Sequence, residues 1–117
     1  MIIREAHKTV NKLRQALPKG FVFILDTTDR SFLYKSMEDQ SCEDKIVFID
    51  RHYGIDRLTR DQGCHLEIHQ EDLVGLRNIG HNTYVGFCMP HESVFETHRS
   101  SAERIIKNDS EPVASGM

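Results

Sequence analysis

The run Gly80-His81-Asn82-Thr83-Tyr84-Val85-Gly86-Phe87-Cys88-Met89-Pro90 sets a turn, a strand and a strand end in one register. Gly80 through Asn82 adopt positive φ at little cost, and Tyr84, Val85 and Phe87 favour a pleated surface. Gly86 interrupts the strand without a side chain, which predicts a bulge or the close approach of another backbone. Pro90 removes a ladder donor and ends the strand.

This run resembles the third and fourth strands of the carbon storage regulator family, small bacterial proteins that repress or stabilise messenger RNAs. The family pattern there is approximately G-N-x-V-R-[IV]-G-[IVF]-x-A-P. Gly80, Asn82, Val85, Gly86, Phe87 and Pro90 fit it, with His81 at the usual Asn position and Met89 at the usual Ala. Upstream, Ile46-Val47-Phe48-Ile49-Asp50-Arg51-His52-Tyr53-Gly54 is similar to the family's opening strand. Downstream, Val94-Phe95 and His98-Arg99 are similar to its last strand and closing His-Arg pair, and residues 100–107 stand where the family starts a short helix. The chain is longer than the family spacing between Gly54 and Gly86 and between Pro90 and Arg99, and residues 1–44 have no counterpart in the family's minimal form.

The resemblance implies an intertwined homodimer in which the first and last strands lie side by side across the two-fold axis. It implies an RNA site made of Arg51, His52, His98 and Arg99, with a GGA-containing hairpin of a messenger or small regulatory RNA as ligand. Translation or message decay would then be controlled without catalysis.

Read residue by residue, the chain is α+β. Ala6, Val10, Leu13 and Leu17 recur at helical spacing after Ile2 and Ile3, with Arg4, Lys8, Lys12 and Arg14 largely on the other faces, and Pro18-Lys19-Gly20 stops that helix. Phe21 to Leu25 and Ser31 to Lys35 form β-prone runs joined by Thr27-Thr28-Asp29-Arg30, a hairpin. Residues 37–44, with Glu38, Asp39, Glu43 and Asp44, read as a solvated acidic loop. A further strand is expected over Lys45 to Asp50. Cys64 to His69 alternates polar with apolar residues, as a strand with one buried face does, and Leu73 to Leu76 continues the sheet after a turn. A short helix ends the ordered chain. The expected organisation is one domain over residues 1–107, with a helix-and-hairpin extension over 1–44 and a regulator-like β region over 45–107, followed by a disordered tail over 108–117.

Composition narrows the function. The 117 residues contain no apolar run approaching the length of about 20 that a membrane span needs, and the N-terminus lacks the apolar core of a signal peptide. Three irregularly spaced cysteines, Cys42, Cys64 and Cys88, suit reduced thiols rather than a secreted disulfide framework, so a cytoplasmic location is expected. The formal charge of −3 argues against nonspecific nucleic-acid binding. That charge is unevenly spread: residues 1–20 hold five basic and one acidic side chain, and residues 21–50 three basic and seven acidic.

Arg51, His52, Tyr53, Arg57 and Arg60 form the densest cationic and aromatic group, able to contact phosphate or guanine and to stack on unpaired bases. The same arginines could equally pair with Asp50, Asp56 and Asp61 at the surface. Cys64, His69, Cys88 and His91 supply a two-sulfur, two-nitrogen set, but their spacing forms no zinc hairpin, and on a strand Cys64 and His69 face opposite sides; no metal and no cofactor are expected. No cysteine has a nucleophile's context, and neither a P-loop nor a dinucleotide fingerprint occurs, so the chain is read as no enzyme. The alternative to the RNA regulator is a protein-binding inhibitor or adaptor of mobile-element origin, which would use the acidic loop and a sheet edge.

Overall fold

Phe21-Val22-Phe23-Ile24-Leu25 is apolar at every position because both faces of its strand are covered. In the computed structural model, which describes residues 2–107 and their side chains from Arg4 onward, this run is β1 (Phe21–Asp26). It follows helix α1 (Ile2–Ala16) and turns back as β2 (Ser31–Lys35). Helix α2 (Gln40–Tyr53) and the single turn α3 (Ile55–Leu58) then lead to a meander of β3 (Cys64–His69), β4 (Asp72–Gly80) and β5 (Thr83–Pro90). A 3-10 turn at His91–Ser93 precedes α4 (Glu96–Lys107).

The sheet is five-stranded and antiparallel, in the order β2-β1-β5-β4-β3. Strand β1 therefore pairs with β5 at the centre, and β2 and β3 are the two edges. Alternation in β1 sends Val22 and Ile24 to one face, where they meet Ala6, Val10 and Leu13 of α1 and Ala102 and Ile106 of α4. Phe21, Phe23 and Leu25 go to the other face, against Cys42, Ile46 and Ile49 of α2 and Ile55 of α3. The architecture is thus three layers, helix pair, sheet, helix pair. The α+β class with an N-terminal helix, an antiparallel sheet and a C-terminal helix is as the sequence indicates. Among the described residues no helix is long and apolar enough to cross a membrane.

Gly86 marks a close approach rather than a bulge. It pairs regularly with Phe23 on one side and Leu76 on the other. A Cβ there would lie 2.4 Å from the Gly75 carbonyl oxygen and 2.7 Å from Phe23 Cζ. Gly75 in turn lies under the Phe87 ring, whose Cε2 would be 2.3 Å from an added Cβ. Each aromatic ring occupies the space its cross-strand glycine leaves open. The turn beyond is left-handed, with φ of 129° at Gly80 and 51° at His81.

Three readings of the sequence are corrected. Residues 45–54 form no strand; residues 45–53 are the body of α2 and Gly54 is its cap. Cys42, Ile46, Ile49 and Asp50 recur at helical spacing and are its buried residues. Asp39 caps the helix by accepting from the Cys42 N–H at 3.1 Å, and Gly54, at φ 79°, closes it with its N–H on the Asp50 carbonyl. Full burial of Ile46 and Ile49 contributes about 1.5–3 kcal/mol each, which outweighs the β preference of Ile-Val-Phe-Ile. Val94-Phe95 forms no last strand either, because the Phe95 carbonyl accepts from the Arg99 N–H at 2.8 Å and starts α4. Finally, residues 1–44 are not an extension, since β1 is central to the sheet and α2 runs across residue 44. The tail over 108–117 lies outside the described residues.

Candidate functional site

The α2 face that does not pack on the sheet ends in aromatic side chains. Phe48 is 46% and Tyr53 50% exposed. His52, four residues after Phe48, stacks on its ring with centroids 3.9 Å apart, and its Nδ1 lies 3.1 Å from the Phe48 carbonyl oxygen, the geometry of a ring N–H donating to that oxygen. Tyr53 leans toward β3, its ring centroid 6.1 Å from that of His69. Between α2 and the β3–β4 turn lies an open groove of about 810 Å³, lined by Ser41, Asp44, Lys45, Phe48, Tyr53 and His69 among others. Lys45, which lines it, is held by an ion pair of 2.6 Å between its Nζ and Asp72 Oδ2.

Strand β3 borders this groove and pairs on one side only, all six of its residues being matched to β4. Its other side presents backbone donors and acceptors with no neighbouring strand among the described residues. The opposite edge, β2, is shorter, and the β1–β2 pairing carries a register shift at Ile24/Leu25. β3 is therefore the more regular template for an added strand.

The sequence-predicted RNA residues are placed as follows. Arg51 and His52 lie exposed on the last turn of α2; His98 is exposed and Arg99 half-buried on α4. α2 and α4 cover opposite faces of the sheet, so one chain does not bring the two pairs together. His98 instead meets the exposed Phe95 ring edge-on at 5.6 Å. Of the aspartates expected to pair with Arg51, Arg57 and Arg60, Asp50 is taken by Arg30 at 2.8 Å, whereas Asp56 does pair with Arg60, at 3.9 Å. The acidic stretch expected as a loop is not one from Gln40 onward, where it is the first turn of α2, and it is largely engaged: Asp39 caps α2, Glu43 pairs with Lys35 at 3.0 Å, and Asp44 accepts from Gln40 Nε2 at 2.9 Å.

Cys64, His69, Cys88 and His91 are not gathered. Cys64 and His69 face opposite sides of β3, Cys88 is in the core beneath α2, and His91 is exposed after β5. Cys42 Sγ sits 3.8 Å from the Cys88 carbonyl oxygen, and the neighbouring Cys42 thiol together with burial pushes the Cys88 thiol far up, so it stays protonated. The described residues do bring together His65, Glu67 and His69, alternate positions of β3 on its α2-facing side, with donor atoms all within 4.8 Å of one another. Burial of His65, with His69 beside it, holds its imidazole below the usual pKa against the opposing pull of Glu67. The signal for this cluster in the sequence is His-x-Glu-x-His in a period-two strand, which sets the three donors on one face. No family model and no curated protein matches the chain.

Proposed function

We propose that this chain is a non-catalytic protein-binding module whose contact surface is the free edge of β3 together with Phe48 and Tyr53 of α2. One observation carries the reading: two exposed aromatic rings stand beside an unpaired, regular edge strand. A strand edge supplies backbone hydrogen bonds to an incoming strand, and adjacent aromatics supply the apolar contact that makes such pairing selective. The first partner is a second copy of the chain, because antiparallel pairing of β3 with itself about a two-fold axis continues a sheet that is already antiparallel throughout. The acidic loop plays little part, since most of its carboxylates are held by its own helix and hairpin.

Light scattering tests this directly. The parent should have a mass near twice 13.5 kDa at tens of micromolar, and the Phe48→Asp/Tyr53→Asp variant, altered only at exposed positions, should be a folded monomer. A monomeric parent, or a double variant that still dimerises, would overturn the assignment of this surface.

A second reading keeps the RNA regulator as a competing proposal. It is favoured by Arg51 and Arg57, both exposed with no carboxylate partner among the described residues. It would have to place RNA on the α2 face rather than across a pair of strands.

A further inference from the structure

We propose that His65, Glu67 and His69 form a binding site for one Zn²⁺ ion on the face of edge strand β3. Residues at i, i+2 and i+4 of a strand share a face, so the pleat alone directs these three side chains to one side. The imidazoles then fold toward each other over Glu67. His65 Nε2 lies 3.1 Å from His69 Nε2 and 3.3 Å from Glu67 Oε1. A tetrahedral zinc ion with ligands at about 2.0–2.1 Å holds its donor atoms about 3.3 Å apart, so two of the three donor separations already approximate those of a tetrahedral shell, and the third lies within 4.8 Å.

The chemistry of the donors selects the ion class. Two imidazoles and one carboxylate suit Zn²⁺ and neighbouring transition metals, whereas Ca²⁺ and Mg²⁺ prefer shells of oxygen alone. Zinc requires unprotonated imidazole. His65, whose side chain is only 12% exposed, is held with its Nε2 directed at both His69 Nε2 and Glu67 Oε1, so its donor atom is already turned toward the other two ligands. Glu67 is 62% exposed and supplies the negative charge that offsets part of the ion's. Without an ion, two neutral imidazoles with facing Nε2 atoms can share only one N–H···N bond, with one ring protonated at Nε2 and the other at Nδ1. The ion would satisfy both lone pairs at once.

Three protein ligands leave a fourth position for water or an outside donor, as in an open zinc site. The ligands rise from the face of β3 rather than from its hydrogen-bonding edge, so the site stands independently of whether a second strand adds there. Cys64, the nearest thiol in sequence, points to the opposite face and packs with Leu66 against the α1/α4 core.

The test is calorimetric titration of the chelator-treated full chain with zinc chloride. One saturable equivalent per chain is expected. His65→Ala and His69→Ala should each weaken it by about tenfold or more and Glu67→Gln by less, with Cys64→Ser and His91→Ala unchanged. Circular dichroism checks that the variants fold. Should either histidine variant unfold, imidazole nitrogen spectra of the parent decide, with zinc shifting Nε2 of His65 and His69 and of no other histidine. No saturable binding, an isotherm indifferent to the histidine substitutions, or binding lost with Cys64→Ser would overturn the proposal.

Discussion

Arg30 Nε donates to Asp50 Oδ2 at 2.8 Å, tying the β1–β2 turn to the end of α2. The other carboxylate oxygen, Oδ1, accepts from the Ile55 N–H at 2.9 Å, so one buried aspartate joins a hairpin and two helices. Arg30 itself adopts a left-handed φ of 56° to reach it. Arg30→Ala leaves Asp50 buried with its charge only partly compensated. Because the guanidinium is 41% exposed and partly screened, the expected loss is about 1–3 kcal/mol, below the figure for a fully buried pair. Urea denaturation measures it, with exposed Arg51→Ala as the comparison, expected within about 0.5 kcal/mol of the parent. Equal midpoints for the two variants would show that the Asp50 contact is not structural.

The glycine and aromatic pairs of the central strands make a second prediction. Gly75→Ala would drive a methyl group into the Phe87 ring, and Gly86→Ala into a backbone carbonyl and Phe23. Backbone yields less than a side chain, so Gly86→Ala should cost more, about 2–3 kcal/mol against about 1–2 kcal/mol. Phe87→Leu combined with Gly75→Ala should recover part of the loss, whereas Phe23→Leu should recover little with Gly86→Ala, because the Gly75 carbonyl remains. Thermal melts of the four variants decide it.

What was legible in the chain follows where local pattern and packing agree. Leu13 and Leu17 after Val10 announced α1, Pro18 its end, and the Gly80 to Pro90 run its strand and turn. The failures share one cause. Ile46-Val47-Phe48-Ile49 is β-prone as a string, yet only Ile46 and Ile49 are buried and Phe48 is exposed, a helical division that four contiguous apolar letters conceal. The start signal at Asp39 and the stop at Gly54 were present, but the acidic residues around Asp39 resembled a loop. Sheet order was legible only between chain neighbours: the β1–β2 hairpin could be read from the chain, but nothing in Phe21 to Leu25 states that its other neighbour is the distant β5. The site depends on the same division, since Arg51 and Arg99 would lie side by side only on paired strands, and both stand on helices.

The cysteines should differ in reactivity. Cys42 and Cys88 are buried, and the Cys88 thiol is kept protonated by its neighbour and by burial, while Cys64 is half-buried at the sheet edge. Under native conditions iodoacetamide should label Cys64 first, with Cys42 and Cys88 modified only once the protein opens. Mass spectrometry of a labelling time course reads this directly. Early modification of Cys88 would mean that α2 detaches readily from the sheet.

Arg51 and Arg99 give the comparison that separates the two functional readings. They stand on helices covering opposite faces of one sheet, so a single RNA loop cannot touch both within one chain. For a protein-binding module, gel shifts with a GGA-containing hairpin and with a scrambled loop should be indistinguishable, and Arg51→Ala and Arg99→Ala should leave both unchanged. A loop-specific complex weakened by about 1–3 kcal/mol in each variant would instead restore the regulator reading. It would also require a dimer that carries Arg51 of one protomer to Arg99 of its partner, an arrangement unlike β3 pairing. The same Phe48→Asp/Tyr53→Asp variant then discriminates further: RNA affinity that survives in a monomer excludes the composite site, because a composite site needs two chains.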